Sequence, residues 1–265
     1  MVDLGSGAEA PAPTLRSALA RGDLAETAKG VEGVPVDHGW EEVCLRPVVD
    51  LPEKVLCVGL NYEAHRIETG RPRTEHPVIF TRFPDTLVGS GEPLVRPRES
   101  EQFDYEGELA VIIGRACRRV PLSRAMEHLA GFTSFNDGSI RDFQDHTHQF
   151  TPGKNFPATA ALGPWLVTPD EVPDLEGVRL ATRLNGDVVQ QTELSDLTYS
   201  IAEIVSYCST WTELRPGDVI ATGTPGGVGS RRTPPLWMRP GDVCEVDIDG
   251  VGILRNPVVS EDPQV

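Results

Sequence analysis

The chain is 265 residues long and carries 24 Lys and Arg against 40 Asp and Glu, a formal charge of −16. That length is enough for one large domain with a sizeable core. The acidic excess argues against a surface that neutralises nucleic-acid phosphates or anionic lipid, and no apolar run approaches the ~20 residues of a membrane-spanning helix.

The opening, MVDLGSGAEAPAP, has no basic stretch followed by an apolar one, so it does not read as a secretory signal; it is small, Pro-rich and expected to fray. Leu15, Leu19 and Leu24 at helical spacing predict a helix over 14–30 that Gly30 stops. A Pro-punctuated stretch follows, and a boundary near residue 50 separates a small N-terminal segment (1–50) from a main domain (51–265). The five cysteines are scattered and form no C-x-x-C, which predicts reduced, mostly buried thiols in a cytoplasmic protein.

Short β-favouring runs recur through the main domain: VLCVG at 55–59, VIF at 78–80, LAVIIG at 109–114, WLVT at 165–168 and DVIATG at 218–223. A helix is expected over 122–130. Asn185-Gly186 and Asp249-Gly250 each sit between apolar runs and signal hairpins. A second helix over 200–211 places Ile201, Ile204, Val205 and Cys208 on one face. Two R-P-G-D turns, at 215–218 and 239–242, each launch a strand. With so few helices between strands, the pattern predicts a strand-rich α+β fold, a mixed β-roll or sandwich, over a doubly wound parallel sheet.

Several segments carry residues with chemistry. In DYEGELAVIIG, Glu106 and Glu108 alternate onto one face at the head of an apolar strand, about 7 Å apart. That is either the solvated start of a strand or a pair of carboxylates reconciled by a hard cation. Asp137, in Asn136-Asp137-Gly138, is either turn chemistry or a third oxygen ligand, which would complete a set suited to Mg²⁺ or Mn²⁺. His65 and Glu68 stand at i and i+3, where a carboxylate can fix the imidazole tautomer and ready it to activate water. Lys154 is one of three lysines in a chain whose other basic residues are arginine, and its ammonium can hold a substrate oxygen. The Gly-rich run at 222–229 lacks a P-loop ending, yet its amides can approach a carboxylate. His146-x-His148 offers two imidazoles with no third zinc ligand at useful spacing.

Taken in order, KVLCVGLNYEAH, DYEGELAVIIG, FNDGSIRDFQ, the lysine loop before GPWLVT, the LNG hairpin and LRPGDVIATGTPGGVG resemble the fumarylacetoacetate hydrolase family across residues 54–258. The resemblance implies a mixed β-sandwich roll of the C-terminal type of that family, in a homodimer. It implies Glu106, Glu108 and Asp137 as ligands of Mg²⁺ or Mn²⁺, with Ca²⁺ as a substitute in crystals, and His65 with Glu68 as a water-activating dyad on a lid. Lys154, Arg141 and Gln144 are implied as holders of substrate oxygens, and Thr224 as a carboxylate contact.

Two departures stand out. The family's F-x-K reads Phe80-Thr81-Arg82 here, which puts a planar fork where a point charge is usual, and Arg82 is carried as a substrate contact on that basis. Gly138 stands where Val is frequent, a change expected to alter backbone freedom more than ligation. The implied activity is metal-dependent C–C hydrolysis of an acylpyruvate-like β-diketo acid. The alternatives are a decarboxylase, hydratase or isomerase acting on a related 2-oxo acid through the same enolate. A metal-stabilised binding module would not need His65, Glu68 and Lys154 together. The loops 66–73, 83–96 and 224–237 are expected to shape the pocket, with Phe83 and Trp237 as walls.

Overall fold

A computed structural model describes residues 14–22, 24–30, 33–39 and 42–262. The fraying expected over 1–13 lies outside them. Fourteen strands and six α-helices run in the order α1 (Leu15–Arg21), α2 (Leu24–Gly30), β1 (Val55–Gly59), α3 (Glu63–Thr69), β2 (Val78–Arg82), β3 (Leu87–Val88), β4 (Leu94–Arg96), β5 (Phe103–Asp104), β6 (Gly107–Ile113), β7 (Leu129–Asn136), β8 (Ser139–Ile140), α4 (Arg141–Gln144), α5 (Thr151–Lys154), β9 (Ala160–Val167), β10 (Arg179–Leu184), β11 (Asp187–Glu193), α6 (Ile201–Trp211), β12 (Val219–Ala221), β13 (Val243–Ile248) and β14 (Gly252–Ser260).

They form a seven-stranded sheet ordered β2-β1-β12-β6-β7-β9-β3, a five-stranded sheet ordered β11-β10-β13-β14-β4, and the small pair β5-β8. Pairing is mostly antiparallel, with parallel neighbours at β1–β12, β3–β9 and β4–β14. The expected strand-rich mixed roll is what the chain adopts.

Alternation along β6 explains why LAVII is unbroken. Leu109, Val111 and Ile113 enter the core shared with Leu180, Val246 and Leu254 of the five-stranded sheet. Ala110 and Ile112 enter a second core with Val55, Cys57, Phe135 and Val219 on the opposite face. A strand covered on both sides has no solvent face to carry polar residues. Leu19 of α1 and Val49 also pack into this second core, so α1 and the chain at Val49 rest on the main sheet.

The predicted helix over 14–30 is two helices. It breaks at Gly22, whose N–H caps α1 by donating to Ala18 O. The helix expected over 122–130 is a 3₁₀ helix at Leu122–His128, because Leu129 and Ala130 are taken by β7. The helix at 200–211 forms as α6, and Ser200 and Glu203 build its capping box. Both hairpins form, though Asp249-Gly250 belongs to a turn of three residues, with Ile248 opposite Gly252. In each R-P-G-D turn the Asp side chain accepts from the Arg amide, at 2.8 Å for Asp218 and 2.7 Å for Asp242. Cys57, Cys117, Cys208 and Cys244 are buried thiols and Cys44 is exposed. No helix among the described residues is long and apolar enough to cross a membrane.

Candidate active site

Because Glu108 follows the alternation of Ala110 and Ile112, its carboxylate emerges on the face turned away from the five-stranded sheet. Glu106, just before β6, is pinned there by backbone pairing. Its N–H donates to Asn136 Oδ1 and its carbonyl accepts from Asp137 N–H at 2.8 Å. Asp137 follows β7, the antiparallel neighbour of β6, so two adjacent strand ends deliver three carboxylates to one point. Glu106, Glu108 and Asp137 are buried, and one oxygen from each lies within 4.8 Å of the others.

Three buried carboxylates repel unless compensated. Lys154 Nζ sits 2.7 Å from Glu106 Oε2 and 2.5 Å from Asp137 Oδ2. Arg82 Nη1 donates to Asp137 Oδ1 at 2.6 Å, and Arg141 Nη2 makes a 2.7 Å charge contact with Glu106 Oε1. Burial would raise the pKa of Glu106, but Lys154 and Arg141 outweigh it and hold the group well below the usual carboxylate range. Burial likewise opposes the charge on Lys154, and Asp137 and Glu106 more than restore it. Glu108 differs. Its carboxylate accepts only the Gly223 N–H, at 2.8 Å, and burial together with Asp137 and Glu106 pushes its pKa well above the ordinary value. A divalent cation among these oxygens would neutralise the one carboxylate of the three that has no ion pair among the described residues, so the donor set fits a hard metal.

The dyad lies on α3. His65 is buried, and its Nδ1 is 2.8 Å from Glu68 Oε1. Glu68 Oε2 accepts the Gly227 N–H at 3.0 Å. Burial opposes ionisation of Glu68, but the bonds from His65 and Gly227 win and lower its pKa. With Nδ1 turned to the carboxylate, His65 Nε2 is the nitrogen left to exchange a proton. His65 lines a cavity of about 340 Å³ together with Glu106, Glu108, Arg141, Lys154 and Thr224. Glu106, Glu108 and His65 therefore face one space, with Asp137 bonded to its lining residue Lys154 and Glu68 to His65.

The remaining expected site residues fall into two groups. Gln144 lines the cavity and accepts from Arg141 Nη1 at 2.8 Å, so this pair meets the ligand space as a unit. The Thr224 hydroxyl donates to Gly107 O and accepts from Gln190 Nε2, which fixes its position at the wall. Arg82 corrects its expectation. Its guanidinium is buried behind Asp137 and bonds to Asp137, Gly138 O, Thr86 and Thr159, and it does not line the cavity. The planar fork is used to hold Asp137, one of the three clustered carboxylates. Gly138 also corrects its expectation: a Cβ there would lie 2.1 Å from Thr159 O, so close approach of two backbones is what the glycine permits. Phe83 is exposed and off the cavity, whereas Trp237 is on its wall. The loops 66–73 and 224–237 contribute lining residues; 83–96 contributes none. Neither His146 nor His148 joins the carboxylate cluster.

The amides of the Gly-rich run do meet carboxylates, and those carboxylates are the protein's own. Gly223 serves Glu108, Gly227 serves Glu68, and Gly229 and Ser230 serve Asp104. Asp104 is a residue that sequence reading passed over. Fully buried, it also accepts from Arg141 Nε at 2.8 Å and so orients that guanidinium. Its only local trace is a third acid in the run Asp104-Tyr105-Glu106-Gly107-Glu108 ahead of the apolar part of β6. Asn61 and Gln190 were missed as well. Asn61 ties the chain just before α3 to Thr222 O and Tyr199, and Gln190 reaches from β11 to Gly107 and Thr224. Their partners are more than thirty residues away in sequence, so local pattern carries no trace of them.

A sequence profile described as fumarylacetoacetate (FAA) hydrolase C-terminal matches residues 54–259. The chain belongs to the fumarylacetoacetate hydrolase family. Within that family it is similar to an oxaloacetate tautomerase of Bacillus subtilis, 40% identical over 226 residues, covering 83% of this chain and 75% of that protein. Among solved structures it is similar to a 5-carboxymethyl-2-hydroxymuconate delta-isomerase from Mycobacterium smegmatis (TM-score 0.74, 38% identity, 84% of this chain and 83% of that one). It is also similar to a fumarylacetoacetate hydrolase from Exiguobacterium antarcticum (TM-score 0.80, 34% identity, 94% and 88%). The family thus holds tautomerase, isomerase and hydrolase members, all of them on this fold.

Proposed function

We propose that the chain is a divalent-metal-dependent enzyme that moves a proton within a small 2-oxo acid, interconverting keto and enol forms, with oxaloacetate as the first substrate to try. The observation that carries this is a single cavity lined by Glu106 and Glu108, two of three clustered carboxylates, and by an imidazole whose Nδ1 is held by Glu68. The similarity to an oxaloacetate tautomerase supports the choice among enolate reactions. The catalytic unit in this reading is 51–265.

Glu106, Glu108 and Asp137 would hold Mg²⁺ or Mn²⁺. Bound there, the ion supplies Lewis-acid polarisation of the 2-oxo group. Lys154 and Arg141 hold Glu106 ionised, Lys154 and Arg82 fix Asp137 in place, and Arg141 with Gln144 orients the acid's oxygens. His65 Nε2 takes the proton from the enol oxygen and delivers it to the adjacent carbon, or runs the reverse, while Glu68 stabilises the imidazolium. The enol O–H is exchanged for a C–H and the π bond moves from C=C to C=O, so no σ bond between heavy atoms is made or broken. The homodimer implied by the family resemblance is checked by light scattering.

Hydrolysis of an acylpyruvate is the second reading, because the same Nε2 can take a proton from water. The test follows the enol absorbance of oxaloacetate and of an acylpyruvate with Mg²⁺ or Mn²⁺, and identifies products. Chelator-sensitive loss of enol with only keto acid formed supports proton transfer. Pyruvate plus a carboxylic acid from the acylpyruvate would replace it with the hydrolase, and pyruvate plus CO₂ from oxaloacetate with a decarboxylase.

A further inference from the structure

Most arginines of this acidic chain are tied to carboxylates or carbonyls, but two that line the candidate active site have no such partner for their guanidinium among the described residues. Arg71 follows α3, and Arg231 ends the 3₁₀ helix Gly229–Arg231; both face the cavity that holds the carboxylate set. The guanidinium of Arg71 lies over the Phe150 ring, 5.1 Å from its centroid, a contact that orients it without neutralising it. No hydrogen bond or ion pair engages the Arg231 side chain among the described residues. Asp145 also lines the cavity, yet it forms no ion pair with either arginine. At the cavity floor, by contrast, Lys154 and Arg141 already have carboxylate partners.

We propose that Arg71 and Arg231 form a second anion subsite that binds the distal carboxylate of a dianionic 2-oxo acid, and that this subsite sets the preference for dicarboxylates. The inference rests on the 2-oxo acid reading of the floor and adds the chemistry of the substrate's far end.

The backbone around Arg71 gives the subsite a mechanical consequence. Arg66 Nη1 donates to Arg71 O at 2.7 Å, and Gly70 N–H caps α3, so Arg71 is fastened to the helix that carries His65 and Glu68. Arg231 belongs to the loop whose Gly227 amide already holds Glu68. A carboxylate between the two guanidiniums adds a second tie between the same two elements. Filling the subsite therefore steadies the dyad over the floor, and a monoanionic acid of equal length forgoes that tie.

The test is calorimetric binding, in the presence of Mg²⁺, of 2-oxopentanedioate and 2-oxopentanoate, which share chain length and the 2-oxo acid head. The wild-type protein is compared with Arg71→Gln and Arg231→Gln. The expected result is a wild-type preference for the dianion of about tenfold or more, since charge-assisted bonds are the strong ones. Each variant should shrink that preference several-fold while binding the monoanion as the wild type does, which also shows the variants folded. Equal wild-type affinity for the two acids, or a preference that survives both substitutions, overturns the subsite and leaves the floor reading intact. Binding of neither acid by the wild type overturns the 2-oxo acid reading, and the subsite with it.

Discussion

The floor and the rim of this cavity are built to different standards. The floor is made of strand ends: Glu106 and Glu108 at the head of β6, Asp137 at the end of β7, with Lys154, Arg82, Arg141 and Asp104 buried around them. Its charges are matched almost one for one, and each side chain except Glu108 is held by more than one bond. The rim is made of a seven-residue helix and a single 3₁₀ turn, joined mainly by Gly227 N–H to Glu68, and it carries the arginines that no acid neutralises. A floor that must hold three carboxylates together needs a sheet to fix them, because the repulsion would otherwise spread them apart. A rim that must admit and release a ligand needs fewer ties. In the proposed reading the carboxylate ligands therefore stand on the sheet, while the His65–Glu68 pair and the selectivity stand on elements that attach to it more lightly.

That division can be broken on purpose. The largest effect is expected at Arg82→Met, which leaves Asp137 buried with one cation fewer. Chemical denaturation should report a loss of about 3–5 kcal/mol, as for other broken buried pairs, and an unchanged midpoint would mean the pair contributes nothing. Next is Glu68→Gln on the rim. Turnover should drop on the order of 10²-fold, while the rise in melting temperature on adding Mg²⁺ or Mn²⁺ stays as in the wild type. If the metal response vanished too, floor and rim would not be separable.

Glu108→Gln should act on the floor with the opposite sign from Arg82→Met. Removing the carboxylate that lacks a cationic partner relieves repulsion, so the metal-free protein should gain roughly 1 kcal/mol or hold steady, and the divalent-ion stabilisation should be lost. A destabilised metal-free variant that still responds to Mg²⁺ would contradict the ligand assignment. The smallest effect is expected at Gly70→Ala. Gly70 caps α3 with φ 69°, where an alanine costs about 1 kcal/mol, although open space surrounds the position. Hydrogen exchange should quicken across Glu63–Thr69 and leave β6 and β7 protected. Uniform loss of protection would show that the rim is as integral as the floor.

Much of this was legible in the sequence, for reasons that can be named. LAVII between two turns reads as a buried strand because burial on both faces removes the need for alternation, and Asn185-Gly186 reads as a hairpin because few dipeptides suit that turn. His65 and Glu68 are three apart, so a single helical turn brings them together. Glu106, Glu108 and Asp137 were nominated from local spacing together with family resemblance, and the fold brings them within ligand distance of one another. Arg82 was placed in the right neighbourhood with the wrong outlook, because spacing does not say whether a side chain reaches the cavity or the back of a ligand. Gly138 was read as conformational freedom when the constraint is the carbonyl of Thr159, twenty-one residues on.

The sequence by itself determined the strand-rich class, the hairpins, the α6 cap, the dyad and the identity of the candidate ligands, since each rests on residues a few positions apart or on a motif carried intact. Only the tertiary structure decided which cation compensates which carboxylate, that Glu108 is left without one, that the Gly-rich amides serve Asp104 and Glu68, and that Arg71 and Arg231 share a cavity. Those are pairings between residues tens to more than a hundred positions apart. Charge and hydrogen bonding act over ångströms in space, and no periodicity along the chain records which distant segments the sheet will bring side by side.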